Sequence, residues 1–240
     1  MKFFEKIAIL FFDLIDKFFH QKKILTQLKK NISNIEIYID VGSHKGSYVD
    51  LIMNNFNLKK ILMFEPQTNI FKFIKKKYFK DKYIKIYNCA LSDKEKKQTL
   101  YINKHDLTTS LTQINKKNNY LNLKATLFGG TINDMILDEK NIKTFRLDKM
   151  IKTNNIAKID LLKIDTEGHE LQVLKGTGSF LKSKVNFILI EFHNSNIFQN
   201  YDKNKIHKYL TNNNFKLKNT FKFPFTTWED RIYQNKMIDQ

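Results

Sequence analysis

Cysteine, proline and arginine are scarce in this chain of 240 residues. Cys89 is the only cysteine, so no intrachain disulfide can form, and a reducing cytoplasm is the expected setting. Pro66 and Pro224 are the only prolines. That excludes the Pro-Pro-aromatic loop that amino-methylating enzymes of DNA usually carry after a central strand. Arg146 and Arg231 are the only arginines in a Lys+Arg total of 42, set against 24 Asp+Glu for a net charge of +18 and a pI near 9.7. Such a charge invites a nucleic-acid reading. Bidentate reading of bases and phosphates draws on arginine, however, and the lysines here are spread along the whole chain instead of forming a patch. The charge still permits attraction to acidic glycans or anionic lipid surfaces. No apolar run reaches the roughly 18 residues of a membrane-spanning helix.

What is present begins with an amphipathic stretch over residues 1–30. Phe3, Phe4, Ile7, Leu10, Phe11, Leu14, Ile15, Phe18 and Phe19 recur at helical spacing. Glu5, Asp13, Asp16 and Lys17 interrupt them, and no small-residue cleavage site follows. The stretch reads as a helix that packs on the domain or on a second subunit, with peripheral contact to the inner face of the membrane as the sharper alternative.

From residue 35 the pattern alternates apolar runs with helical segments. Strands are expected at 35–41, 60–65, 83–90, 159–165 and 185–192, with helices at 46–55, 71–79, 169–181 (broken by Gly176 and Gly178) and 202–213. This succession predicts a parallel sheet with right-handed crossovers. Further strands are expected at 97–103 (antiparallel), 142–147, 215–221 and 230–235, with a short helix from Asp148. Residues 104–140, rich in Asn, Lys and Thr, read as an insertion or lid. No repeat or linker divides residues 31–240, so one domain is expected there.

In an open parallel sheet, ligands bind beyond the carboxyl ends of the strands. The polar residues at those ends are Asp40 with Gly42, Glu65, Asn88, Asp165 with Glu167, and Glu191 with His193. Gly42 and Gly46 bracket a tight turn, and Glu65 follows Asp40 by 25 residues, where an acidic side chain suits a ribose diol. A dinucleotide turn needs a third glycine, but Lys45 occupies that position. A carboxylate just ahead of the turn repels a pyrophosphate and attracts a ligand carrying an ammonium and a sulfonium. S-adenosylmethionine is therefore favoured over NAD.

The ordered series Asp40-Val-Gly-Ser-His-Lys-Gly46, Phe64-Glu-Pro66, Asn88-Cys-Ala-Leu-Ser-Asp93, Thr109-Ser-Leu111, Arg146-Leu-Asp148, Leu162-Lys-Ile-Asp-Thr-Glu-Gly-His-Glu170 with Leu174-Lys-Gly176, and Ile190-Glu-Phe192 resembles the FkbM family of S-adenosylmethionine-dependent methyltransferases. The resemblance covers roughly residues 35–195. It departs in Ser43-His44, where Ala-Asn is expected, and in Thr166, where Val is common. It implies an α/β class I (Rossmann-like) methyltransferase fold, a three-layer sandwich. The sheet would be mostly parallel and seven-stranded with an antiparallel last strand, preceded by the N-terminal helix. It also implies methyl transfer to oxygen, with sugar and natural-product hydroxyls among the family's acceptors. Carried over by position, Asp40, Gly42, Ser43, His44, Lys45 and Gly46 would hold the methionine end of the cofactor. Glu65 would hold the ribose. Asn88, Cys89, Ala90 and Leu91 would border the adenine, with Ser92 and Asp93 as weaker candidates.

A hydroxyl acceptor needs a base or a metal, because its pKa lies far above seven. Asp165 ranks first as base and also borders the cofactor. Glu167, His193 and Lys163 are further catalytic candidates, and His169 is a weaker one, more in keeping with a helix-surface residue. Lys163 should share Asp165's face of the strand, as a partner for a carboxylate or for the substrate, and Glu170 reads as a residue that pairs or caps. No ligand spacing is diagnostic of a metal, so none is favoured; Asp165, Glu191 and His193 are the set that would hold a divalent ion. The favoured function is O-methylation of a sugar, glycan or glycolipid precursor. RNA ribose methylation and a non-catalytic cofactor-binding module are the alternatives.

Overall fold

The computed structural model describes residues 14–103, 109–127, 130–224 and 226–238. Phe3, Phe4, Ile7, Leu10 and Phe11 lie outside these residues. The elements in chain order begin with a π-helical turn, Asp16–His20, leading into α1 (Gln21–Asn31). β1 (Ile37–Val41), α2 (Ser47–Met53), β2 (Lys60–Phe64), α3 (Thr68–Lys77), β3 (Ile84–Tyr87), β4 (Ala90–Leu91) and β5 (Lys97–Asn103) follow. Next come α4 (Asn119–Leu127), a 3-10 turn at Ile132–Met135, β6 (Ile136–Phe145), α5 (Leu147–Thr153), β7 (Ile159–Ile164), α6 (Glu170–Gly176) and α7 (Phe180–Lys184). The chain closes with β8 (Val185–His193), α8 (Lys203–Asn212), β9 (Phe215–Lys222) and β10 (Trp228–Asn235).

Among the described residues, seven strands form the main sheet in the order β3-β2-β1-β7-β8-β10-β9. β1 pairs in parallel with β2 and β7, and β7 with β8; β10 runs antiparallel between β8 and β9. This is the expected three-layer α/β sandwich with its last strand reversed. Alternate strand residues face opposite layers. Ile39, Val41, Leu62, Phe64, Leu162, Ile164, Ile188 and Ile190 pack with α5, α6 and α8 through Leu147, Ile151, Val173, Leu174, Ile206 and Leu210. Tyr38, Ile61, Met63, Leu161, Phe187, Leu189 and Ile232 pack on the other face with Ile24 and Leu28 of α1, Val49 and Ile52 of α2, and Ile74 of α3. Coverage on both faces explains why the central strands read as continuous apolar runs.

Helix α1 is thus part of the domain core. Ile24 and Leu28 are fully buried, while Leu14, Phe18 and Phe19 of the preceding turn are exposed. No helix of the described residues is long and apolar enough to cross a membrane. The break expected at Gly176 and Gly178 divides the stretch 169–181 into α6 and α7, and Gly176 lies so close to Ser92 that a Cβ there would be 2.2 Å from its carbonyl oxygen. The stretch 104–140 is more regular than its composition suggests. It contains α4, the 3-10 turn and the first half of β6, which pairs antiparallel with β5 and parallel with β4 in a separate small sheet.

Candidate active site

Strand parity places Asp40, Lys163, Asp165, Glu191, His193 and Asp230 on the face that carries Tyr38, Leu161, Leu189 and Ile232. Asp40 lies beside Lys163 in the register, and Asp230 lies opposite Glu191. The apolar layer under α1 and α2 therefore gives way to a charged layer at the carboxyl ends of the parallel strands. β8 continues through Glu191 to His193, instead of ending before them, because β10 pairs with it as far as Trp228 opposite His193.

Lys163 is the hub of this layer. It is buried, with Nζ 3.0 Å from Asp165 Oδ2, 3.8 Å from Asp40 Oδ1 and 4.6 Å from the centre of the Tyr48 ring. Burial opposes its charge, but the Asp165 and Asp40 carboxylates outweigh that and lift its pKa above the usual lysine range. The expected pairing of Lys163 with a carboxylate is met twice over. Asp40 is almost wholly buried, and burial raises its pKa against the pull of Lys163. Its Oδ1 has no hydrogen-bond partner, which leaves a buried acceptor at the head of the first turn.

That turn is built by its glycines. Gly42 has φ +80°, and a Cβ there would stand 1.8 Å from the backbone oxygen of Asp165. The residue is glycine so that β1 can press against the end of β7; this contact, more than a ligand's approach, accounts for it. Gly46 has φ +79°, caps α2, and accepts a hydrogen bond from the Tyr78 hydroxyl at 2.9 Å. Ser43 is buried, its hydroxyl donating to the Asp40 carbonyl at 3.0 Å, and Lys45 is exposed. Glu65 accepts from the backbone N–H of His44 at 2.9 Å and of Gln67 at 2.8 Å, one on each carboxylate oxygen. It thereby ties the first turn to the end of β2. Asn88 donates to the carbonyls of Glu65 and Pro66 at 2.9 and 3.0 Å, bracketing the neighbouring strand end. Cys89, Ala90 and Leu91 are buried beside it, and burial pushes the Cys89 thiol up to about 12.

The Thr166–Glu170 segment carries the other half of the site. Glu167 adopts φ +53°, a backbone region uncommon outside glycine, and Gly168 follows at +91°. The conformation is held from two sides. Glu170 is fully buried, and its Oε1 accepts from the N–H of Thr166 and Gly168, both at 3.0 Å, and from the Thr166 hydroxyl at 3.1 Å. From outside, the Ser110 hydroxyl contacts the Glu167 carbonyl at 2.6 Å, and the Thr112 hydroxyl contacts the Gly168 carbonyl at 3.0 Å. Ser110 and Thr112 are positioning residues that strand-end reasoning missed, although the Thr109-Ser-Leu111 signature contains the first of them. Asp230 was also missed. It is buried opposite Glu191 on β10, and a lone acidic residue on a late strand carries no sequence signal.

This backbone turn brings Glu167 to His193, with Oε2 3.7 Å from Nε2; Glu191 Oε1 lies 3.4 Å from the same nitrogen. His193 is buried, its ring edge-on to Phe198 and Tyr201, and burial lowers its pKa to about 4, so the imidazole is neutral near pH 7. Burial, reinforced by Asp165 and Glu167, raises the pKa of Glu191 well above the usual carboxylate range. Sequence reasoning grouped Asp165 with Glu191 and His193. The structure instead turns Asp165 toward Lys163 and puts Glu167 in its place, with one ligand atom each of Glu167, Glu191 and His193 within 4.8 Å of one another.

His169 is neither on the helix surface nor in this cluster. It is buried, its Nε2 3.0 Å from the Ser92 hydroxyl and its Nδ1 3.3 Å from that of Thr112, with its pKa lowered to about 4 by burial. Arg146 pairs with Asp148 at 2.6 Å and donates to the Asp93 carbonyl, so the Arg146-Leu-Asp148 signature fastens the turn after β4.

Comparison with known proteins decides what this arrangement belongs to. The model of the methyltransferase FkbM domain matches residues 40–217. The chain belongs to the FkbM methyltransferase family. Hexuronic acid methyltransferase AglP of Haloferax volcanii is 44% identical over 52 residues, 22% of this chain and 21% of that protein. The crystal structure of methyltransferase FkbM from Methylobacillus flagellatus shares the fold, with a TM-score of 0.53 and 14% identity over 84% of this chain and 43% of that one. The chain thus spans about a fifth of the curated relative and less than half of the solved FkbM protein. The family is one of methyltransferases, and S-adenosylmethionine is the cofactor that the sequence favours. The chain's own residues fit S-adenosylmethionine: the buried Oδ1 of Asp40, 3.8 Å from Lys163 Nζ and without a hydrogen bond, is an acceptor suited to an ammonium, and Glu65 closes the adjoining strand end.

Proposed function

We propose that this FkbM methyltransferase methylates a hydroxyl of a sugar, within a glycan or a glycolipid precursor. The observation that carries the reading is the mixed acid and neutral-imidazole layer at the ends of β7 and β8, set beside the cofactor turn. Similarity to a hexuronic acid methyltransferase supports the choice of sugar.

S-adenosylmethionine, when bound, supplies a methyl group already activated on a sulfonium. What remains for the protein is to align the acceptor oxygen and to take its proton. Asp165 is the proposed base. Its side chain is 27% exposed, whereas Lys163, which holds it, is 3% exposed. A carboxylate fixed by a buried ammonium on one oxygen keeps the other oriented toward the open strand end. Lys163 is a positioning residue in this scheme, since both its carboxylate neighbours lie within the layer. Asp40 would accept from the amino group of the cofactor and Glu65 from its ribose, with Asn88 to Leu91 bordering the base.

The test is S-adenosylhomocysteine release across a panel of hexuronic acid, neutral-sugar and nucleotide-sugar acceptors, with an RNA arm included. Turnover on at least one saccharide and none on RNA is the expected result. Turnover on RNA alone would replace the sugar reading.

A further inference from the structure

His193 is a buried imidazole with no hydrogen-bond partner on either ring nitrogen. Buried polar groups are nearly always satisfied, and a buried ring with both nitrogens unanswered asks for a missing partner. Its Nε2 points between two carboxylates, Glu191 at 3.4 Å and Glu167 at 3.7 Å, too far for good hydrogen bonds. Those separations suit a common ion. Bonds of about 2.1 Å place adjacent ligand atoms about 3 Å apart and opposite ones about 4 Å apart. Glu167 and Glu191 lie on either side of His193 Nε2. The loop that delivers Glu167 does so through a left-handed residue braced by Glu170 and Ser110, so its direction is imposed by its surroundings.

We infer that Glu167, Glu191 and His193 form a binding site for one divalent transition-metal ion of the Mn²⁺ to Zn²⁺ class. Two carboxylates and one imidazole favour such an ion over Mg²⁺ or Ca²⁺, which take oxygen donors almost alone. Three protein ligands leave positions open on the ion. On the reading of the enzyme as a sugar O-methyltransferase, the open positions would take the acceptor hydroxyl, whose pKa a bound metal lowers, and Asp165 next to the site would receive the proton. The site itself does not depend on that reading, because its occupancy can be read with no acceptor present.

The experiment is titration of the chelator-stripped 240-residue chain with Mn²⁺, following free Mn²⁺ by electron paramagnetic resonance. S-adenosylhomocysteine binding by calorimetry serves as the check of fold. One Mn²⁺ per chain is expected, with affinity lowered at least about tenfold in Glu167→Gln, Glu191→Gln and His193→Ala. The two Gln variants preserve shape, so the test survives a failure of His193→Ala to fold. Absence of stoichiometric uptake in the wild-type protein overturns the site. Loss of uptake in Asp165→Asn with none in Glu167→Gln overturns this ligand set in favour of one built on Asp165. A protein that takes up the ion but methylates no sugar leaves the site standing and removes only the acceptor reading.

Discussion

His20 Nε2 lies 2.8 Å from Asp230 Oδ2, and both side chains are buried. The contact joins the turn before α1 to the strand that lies against Glu191, so the N-terminal helix is fastened to the charged layer itself. Phe223 and Trp228, both with ring centres 5.2 Å from that of His20, wall it in. Among the described residues, His20→Ala leaves Asp230 with a long contact from the Tyr48 hydroxyl, at 3.4 Å. An expected loss of about 1–3 kcal/mol follows from stranding a buried acceptor. Urea denaturation of the full chain measures it. A change below about 0.5 kcal/mol would mean that the pair fixes nothing.

Lys163 separates Asp40 from Asp165, and a neutral replacement leaves two carboxylates facing one another at the strand ends. Breaking a buried pair by removing one partner costs about 3–5 kcal/mol. Lys163→Met is therefore expected to lose stability on that scale and to lose S-adenosylhomocysteine binding, because Asp40 will take up a proton in preference to standing charged and alone. Denaturation and calorimetry read the two effects separately. Normal cofactor affinity in this variant would show that Asp40 does not depend on Lys163.

How much of this was readable beforehand follows from which forces act locally. The order of strands and helices is written in short apolar runs and their acidic ends, because a doubly covered sheet needs buried strands and exposes only their tips. The position of Asp40 and Glu65 at the strand ends was legible for the same reason. Which carboxylate accompanies His193 was not. That depends on the backbone angle of Glu167, set by Glu170 from within the chain and by Ser110 from a segment 57 residues away. Asp230 was illegible because its meaning comes from β10 inserting beside β8, a pairing across 39 residues that no local pattern announces. His169 was misplaced because helical spacing does not reveal that Ser92 and Thr112 close over it.

Gly42 offers a direct test of how the first turn meets the site. Its φ of +80° disfavours any side chain, and an added Cβ would collide with the Asp165 carbonyl at 1.8 Å. Gly178, at φ +59°, is the comparison: there a Cβ would be 3.0 Å from the Asp148 carboxylate, a side-chain end that can move. Gly178→Ala is expected to cost about 1–2 kcal/mol, the price of the left-handed region alone. Gly42→Ala must in addition part β1 from β7, so it should cost more stability and at least about tenfold in S-adenosylhomocysteine affinity, equivalent to about 1.4 kcal/mol. Equal behaviour of the two variants would reject the close approach as the reason for Gly42.

Glu170 couples the Glu167 loop to pH. Its Oε1 accepts three hydrogen bonds while its Oε2 is buried without a partner, and burial raises the pKa from 4.5 to about 7 against the pull of those donors. The folded state then holds a proton that the unfolded chain releases at lower pH. The stabilisation linked to that proton is complete below about 4.5 and is lost as pH rises through about 7. Glu170→Gln keeps an acceptor for the loop and cannot titrate. Its urea midpoint should fall less than that of the wild-type protein between about pH 5 and about pH 8. Glu170→Ala removes the acceptor from two backbone donors and a hydroxyl and should cost about 3 kcal/mol at either pH. Parallel pH profiles for the wild-type protein and Glu170→Gln would place the proton elsewhere, and a harmless alanine would mean that the loop holds its left-handed residue without help from Glu170.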